Sequence, residues 1–268
     1  MALSRTAARS GTLSAFVARD PSSRARVLGC EIDRLSMQAT VERIDRIIAD
    51  RGFAQHVAIN AAKIVAMRED HKLEQIVAKC ELASADGQSV VWASRILKDP
   101  LPARVAGIDL MEELLALAER RGYRVFILGA NDDVLARALV RIRARHPRLV
   151  IAGTRDGYFP EGDAPTVAAE IAARRPDIVF VAMPSPRKEY WLAEHGRRLG
   201  APFVMGVGGS VDVLAGHVRR APVFMQQLGL EWLVRLIQEP RRLLGRYAST
   251  NARFVAYLIR ELVRRHEV

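Results

Sequence analysis

The chain is predicted to be an α/β protein: a Rossmann-like parallel sheet flanked by helices, with a helical, membrane-docking appendage at its C-terminal end. Three observations predict it. Between residues 56 and 216, apolar runs of strand length alternate with helical patterns of about ten residues, the signature of right-handed βαβ units. The apolar runs are nearly continuous, as in Ile178-Val-Phe-Val-Ala182, and suit strands covered on both faces. Beyond Gly216 the alternation stops, and residues 223–238 and 241–264 carry two helical apolar-plus-arginine patterns with no strand between them.

In chain order, His56-Val-Ala-Ile-Asn60 reads as a strand, with helices over residues 61–67 and 72–80. The Asp86-Gly87 turn opens a helix over 88–97, and residues 110–120 form a clearly amphipathic one. Arg124-Val-Phe-Ile-Leu-Gly129 is a buried strand and 132–145 its helix. The pattern then repeats three times: strand 149–153 and helix 166–174, strand 177–182 and helix 187–199, strand 202–207 and a helix after Gly208-Gly209. In such sheets ligands sit outside the carboxyl ends of the strands. That rule points to Asn60, Gly129-Ala130, residues 153–158, 183–188 and 206–212.

Charge divides the chain into three parts. Residues 1–28 hold five Arg against one Asp, a net +4, and read as a poorly ordered basic extension. Residues 217–268 hold ten Arg against four Glu, a net +6, and form the helical appendage. Of the total of +11, only +1 is left for residues 29–216, the catalytic α/β domain. Basic ends attract anionic partners, whether phosphate-bearing substrates, anionic lipid or nucleic acid. Nucleic acid is disfavoured, because the domain is near neutral and only 6% of residues are aromatic. No apolar run approaches the ~20 residues of a spanning helix, and the N-terminal arginines lack the apolar block of a secretory signal. Cys30 and Cys80 have no Cys or His at metal-ligand spacing and read as ordinary reduced thiols of a cytosolic protein.

Over 241–264, Arg242, Arg246, Arg253, Arg260 and Arg264 fall within about 40° on a helical wheel, mostly opposite Leu244, Tyr247, Phe254, Leu258 and Leu262. That is the pattern of an interfacial helix. A surface helix packing its apolar face on the core gives the same pattern, and Ser249-Thr250-Asn251 is a place where the helix would break.

Several loops can carry chemistry. Asp86 stands at a loop-to-helix junction, where an aspartate is either a helix cap or a general base. Gly206-Val-Gly-Gly-Ser210-Val-Asp212 offers backbone N–H groups and a helix N-terminus to a phosphate. It has neither the G-x-G-x-x-G dinucleotide spacing nor a Walker Gly-Lys-Ser/Thr end. An epimerase that needs a bound dinucleotide is therefore disfavoured. Gly129-Ala130-Asn131-Asp132 is a weaker turn of the same kind. Pro184-Ser-Pro-Arg187-Lys188-Glu189 places two cations at a helix start, against the dipole, which calls for an anionic partner or for neutralisation by Glu189. The six histidines are scattered without helical zinc spacing, and no G-x-S-x-G motif occurs.

The order and spacing of these segments resemble the WecG/TagA/CpsF family, glycosyltransferase family 26, from about residue 57 to 247. The segments are Ala85-Asp86-Gly87, Arg104-Val-Ala-Gly107-Ile-Asp109, Gly157-Tyr158-Phe159, Ser185-Pro-Arg-Lys-Glu189, Gly206-Val-Gly-Gly209, Arg220-Ala-Pro222, Gly229-Leu-Glu231-Trp232-Leu-Val-Arg235, Glu239-Pro-Arg-Arg242 and Arg246-Tyr247. The resemblance implies an inverting, metal-free enzyme without a cofactor. It moves a hexosamine-type sugar from a UDP-sugar to a polyprenyl-diphosphate-linked saccharide, docked on the inner face of the bacterial plasma membrane. Self-association is left open. Carried over, Asp86 is the general base, and Asn60 and Arg104 line the pocket beside it. Tyr158 and Asp212 contact the uridine end, Lys188, Gly208 and Gly209 belong to the substrate site, and Arg235, Arg242 and Arg246 close over it and meet phosphates. Two positions depart from the family pattern: Ala58, where Thr is usual, and Lys188, where Gln is usual. Both touch the implied sugar pocket, which leaves another hexose or a uronic acid open as donor sugar.

Overall fold

The computed structural model describes residues 23–218, 220–222, 225–226, 229–238 and 240–266, without the side chains at 235, 242, 243, 246 and 266. It opens on an antiparallel hairpin of β1 (Arg24–Val27) and β2 (Cys30–Asp33). The two turn residues, Leu28 and Gly29, have φ of 50° and 88°, the doubly positive geometry that matches strand twist. Residues 24–27, grouped by the sequence reading with the basic extension, are thus a strand. The helix α1 (Met37–Ala49) follows, capped by Ser36 and burying Thr40, Ile44 and Ile48 along one stripe.

Six strands then form one parallel sheet: β3 (Ala54–Ile59), β4 (Leu82–Ala85), β5 (Arg124–Gly129), β6 (Val150–Arg155), β7 (Ile178–Ala182) and β8 (Phe203–Gly206). Their spatial order is β4-β3-β8-β7-β5-β6. The connections are α2 (Ala61–Glu69), α3 (His71–Lys79), α4 (Gln88–Ile96), α5 (Gly107–Arg121), α6 (Asp132–Arg145), α7 (Ala164–Ala173) and α8 (Arg187–His195), with α9 (Ser210–Ala215) after β8. One face is covered by α1, α5, α6 and α9, whose apolar residues pack with Ile127, Phe180, Phe203 and Met205. The other is covered by α2, α3 and α4 with the hairpin, and by α7 and α8. Burial of each large side chain, such as Phe180 or Leu110, stabilises the fold by about 1.5–3 kcal/mol.

The exposed edge of β4 is closed by the hairpin. Asp33 Oδ2 accepts from Ala83 N at 2.7 Å, and Arg24 pairs with Asp33 at 3.0 Å while donating to the Glu81 carbonyl at 2.9 Å. Covering the edge removes a template for unwanted pairing.

Two helices end the described chain, α10 (Glu231–Gln238) and α11 (Pro240–His266). The segment read from the sequence as one helical run, 223–238, is helical at 225–226 and again from Glu231, with Gly229 at φ of 67° between them; residues 223, 224, 227 and 228 lie outside the described residues. The helix α11 runs unbroken through Ser249-Thr250-Asn251. Of its predicted apolar stripe, Phe254 is 5% exposed and packs with Leu258 and Leu262, and with Tyr257 beside them, against the α2 side of the core, while Tyr247 meets the Trp232 ring edge-on at 6.0 Å. Arg68 lies over the Tyr257 ring at 5.6 Å, Arg253 pairs with Glu69, and Arg265 donates to the Leu97 carbonyl at 2.6 Å. An ordinary packing face therefore accounts for this part of the stripe. Leu244 is exposed instead, as is a neighbouring row of Val255, Ile259 and Val263. Among the described residues no helix is long and apolar enough to cross a membrane.

Candidate active site

The loops after β3 and β7 turn into α2 and α8 on one face, whereas the loop after β8, which lies between them, turns into α9 on the other. Neighbouring loops that part in this way open a crevice at the carboxyl ends of the strands. Asn60 follows β3 and Asp86 follows β4, on one side of β8 in the strand order, and Lys188 follows β7 on the other.

Asp86 is held by hydrogen bonds at both oxygens. Oδ1 accepts from Gly107 N at 2.8 Å, and Oδ2 accepts from Asn60 Nδ2 at 3.1 Å. Asp86 does not cap the helix that follows it. Gly87 is the N-cap of α4 and no side chain bonds there, so the Asp86 carboxylate meets the first residue of α5 instead. That position places a negative charge at a helix N-terminus, where it is favoured. Asn60 does two things at once: its Oδ1 caps α2 by accepting from Lys63 N at 3.0 Å, while its amide nitrogen reaches Asp86. Gly87 makes the approach possible, since a Cβ there would already lie 3.3 Å from Asn60 Cβ. The carboxylate is half-buried and has one described hydrogen bond at each oxygen, and a carboxylate so held has the chemistry of a general base.

The opposite wall is basic. The Lys188 stem crosses Gly206, where a Cβ would lie 2.9 Å from its Cδ, and its ammonium lies 3.2 Å from the Cβ position of Gly208. The two glycines clear the channel this lysine occupies. Glu189, 3% exposed, pairs with buried Lys63 through Oε1 and stands 3.6 Å from Lys188 Nζ. Lys63 also donates to Ser185 Oγ at 2.8 Å. Burial pushes the Lys63 amine down, and the charge of Glu189 opposes that shift. One carboxylate thus serves two ammonium groups, and the surplus positive charge favours an anionic ligand. Arg187 is employed otherwise, over the Phe159 ring at 5.2 Å and on the Phe159 carbonyl at 3.1 Å. The glycine loop adds little dipole, because α9 has only six residues.

The remaining predicted residues are placed as follows. Gly208, with φ of 53°, and exposed Gly209 lie at the end of β8, and Asp212 follows in the first turn of α9, near Gly209. Tyr158 follows β6 and is 77% exposed. Its strand is three spacings from that of Asp212, about 14 Å across the sheet. Arg104 is engaged by Glu231 at 2.8 Å and donates to the Gln226 carbonyl at 3.1 Å, so its guanidinium faces the C-terminal segment. Arg235 lies in α10, and Arg242 and Arg246 in α11, but their side chains fall outside the described residues. Lys63 lies beside these groups without having been singled out, whereas Glu189, a candidate neutraliser of Arg187 and Lys188 in the sequence, stands near Lys188, and Gly107 was named only within a family segment. The usable signal for Lys63 was its place three residues after the capping Asn60. Ala58 and Lys188, the two departures from the family pattern, line one small cavity together with Gly206, Glu189 and Leu192. A wider groove between α1 and α5, lined by Met37, Val41, Leu117 and Arg121 among others, contains none of these groups. Among the described residues no three His, Cys, Asp or Glu side chains converge as a metal cluster would.

The chain is thus a doubly wound α/β protein with a fixed carboxylate and a group of cations at the carboxyl ends of its strands. The model of the glycosyl transferase WecG/TagA/CpsF family matches residues 25–268. The chain belongs to that family, and is a glycosyltransferase of cell-surface polysaccharide synthesis with a sugar donor and a lipid-linked acceptor.

Proposed function

We propose that this enzyme transfers a hexose or hexosamine-type sugar, with inversion, from a UDP-sugar to a saccharide carried on a polyprenyl diphosphate. The observation that carries the reading is the Asp86 carboxylate, fixed by Asn60 Nδ2 and Gly107 N across a crevice from the Lys188 ammonium. Asp86 takes the proton from the acceptor hydroxyl as that oxygen attacks the anomeric carbon. The bond to the diphosphate breaks on the opposite side, which inverts the centre. Charge then grows on the departing UDP, where Lys188 and the family-implied Arg235, Arg242 and Arg246 meet it. In this reading the positive charge comes from side chains, and no metal is required. Tyr158, with its ring exposed, is available to the uracil. The work is done at the cytoplasmic face of the bacterial plasma membrane, where the basic tail and the exposed row of Val255, Ile259 and Val263 rest on anionic lipid.

The test is UDP release from a panel of UDP-hexoses, UDP-N-acetylhexosamines and UDP-hexuronates, with and without bacterial lipid extract and with EDTA present. Release that depends on both donor and lipid supports the reading. Retention on DNA at moderate salt without any UDP release would favour nucleic-acid binding instead.

A further inference from the structure

Residues 104–109 face two ways. Their backbone serves the catalytic loop: Val105 N donates to the Ala85 carbonyl at 2.8 Å, and Gly107 N donates to Asp86 Oδ1 at 2.8 Å. Side chains at the two ends hold the C-terminal segment. Arg104 pairs with Glu231 at 2.8 Å, and Asp109 pairs with Arg220, whose guanidinium also stands 3.9 Å from both Glu112 and Glu231. The Arg104 and Glu231 side chains are only 14% and 18% exposed, and that of Arg220 is 23% exposed. Pairs this shielded are screened less than surface pairs, and losing one partner leaves a charge without compensation.

We propose that Glu231 and Arg220 are positioning residues for Asp86. Seated on Arg104 and Asp109, they hold in place the short segment whose Gly107 N–H fixes the carboxylate. Transfer therefore requires the C-terminal segment to be docked. The inference rests on the reading of Asp86 as the base, and adds the route by which a segment more than 100 residues away in sequence acts on it.

The experiment pairs hydrogen–deuterium exchange of the full chain with steady-state kinetics, for the parent, Glu231→Gln, Glu231→Asp and Glu261→Gln. In Glu231→Gln, amides of residues 105–110 should exchange about tenfold faster, through easier local opening. Turnover at saturating donor should fall about tenfold, the effect of losing one charge-assisted bond, while donor KM changes less than about threefold. Glu231→Asp, which keeps the charge, should recover most of both effects. Glu261→Gln removes a carboxylate whose ion pairs, among the described residues, are with Arg264 and Arg265 on its own helix, and should change neither. Unchanged exchange at 105–110 in Glu231→Gln overturns the coupling, and faster exchange with unchanged turnover overturns the positioning role. A rise in KM with turnover intact overturns it too, and assigns the pair to donor binding. Exchange is read on the protein alone, so its outcome stands apart from whether Asp86 proves to be the base.

Discussion

Asn60 ties the fold to the chemistry at the scale of one side chain, since its oxygen caps α2 and its nitrogen holds Asp86. Substitution separates the two roles. Asn60→Ser keeps a capping oxygen but loses the reach to Asp86, whereas Asn60→Ala loses both. The Ala variant should lose about 1 kcal/mol of stability and the Ser variant about half of that or less. Both should lose about tenfold or more in turnover, the effect of an unfixed base. Urea denaturation beside UDP-release kinetics checks this, and full turnover in Asn60→Ser would reduce Asn60 to a cap. Asn60 was legible in the sequence because it stands at the end of an apolar strand, and Asp86 because it stands at a loop-to-helix junction. The buried pair of Lys63 and Glu189 was not. Lys63 sits in an apolar run that reads as a helix with one solvated lysine, and its partner is 126 residues away. Only the fold brings the two together.

At the scale of elements, the alternation of apolar runs was legible from β3 to α9 except at β4, which was not read as a strand, since a strand buried on both faces writes itself as a continuous apolar word. The hairpin and α1 were passed over although their signals were present. Ala25 and Val27 alternate with arginines, and Thr40, Ile44 and Ile48 recur at helical spacing. The strand β4, Leu82-Ala-Ser-Ala85, carries no β-branched residue, and is held as a strand by β3 beside it and the hairpin over it. For α11 the helix was legible, but the sequence does not say which of two adjoining apolar rows is covered. Phe254 and Val255 are one residue apart, and one is buried while the other is exposed. The covered row predicts that Phe254→Ala costs about 3–5 kcal/mol, whereas Ile259→Ala stays within about 0.5 kcal/mol of the parent. Chemical denaturation of both variants measures the difference. Equal small effects would mean that the tail is not packed on the domain.

Across the whole molecule, stability should carry a pH signature from His56. Burial pushes its imidazole down from 6.5 to about 4, although Asp33 and Asp86 pull upward. As pH falls below 6.5 the unfolded chain takes up this proton before the folded one. The contribution is therefore full above pH 6.5 and is lost progressively towards pH 4, by about 3 kcal/mol in all. Denaturation at pH 7 and pH 4.5 should show a smaller drop for His56→Gln than for the parent, and an equal drop would place the titration elsewhere. The membrane proposal belongs to this scale as well. Each basic residue near an anionic bilayer contributes about 1 kcal/mol, so binding should weaken with salt. Replacing Ile259 and Val263 with Glu should release the protein from anionic vesicles at low salt and leave transfer to a short, water-soluble acceptor intact. Cosedimentation equal to the parent's would remove this face from the contact.

The central claim is that the carboxylate between Asn60 and Gly107 removes the acceptor proton. Its most direct test is turnover of Asp86→Asn, measured as UDP release at saturating donor and lipid-linked acceptor, with UDP binding followed separately. The amide keeps the shape and an acceptor for Gly107 N–H but cannot take the proton. Turnover should fall by about 10²- to 10⁴-fold with UDP affinity nearly unchanged. Turnover within a few-fold of the parent would contradict the account and leave Asp86 as no more than the cap on α5.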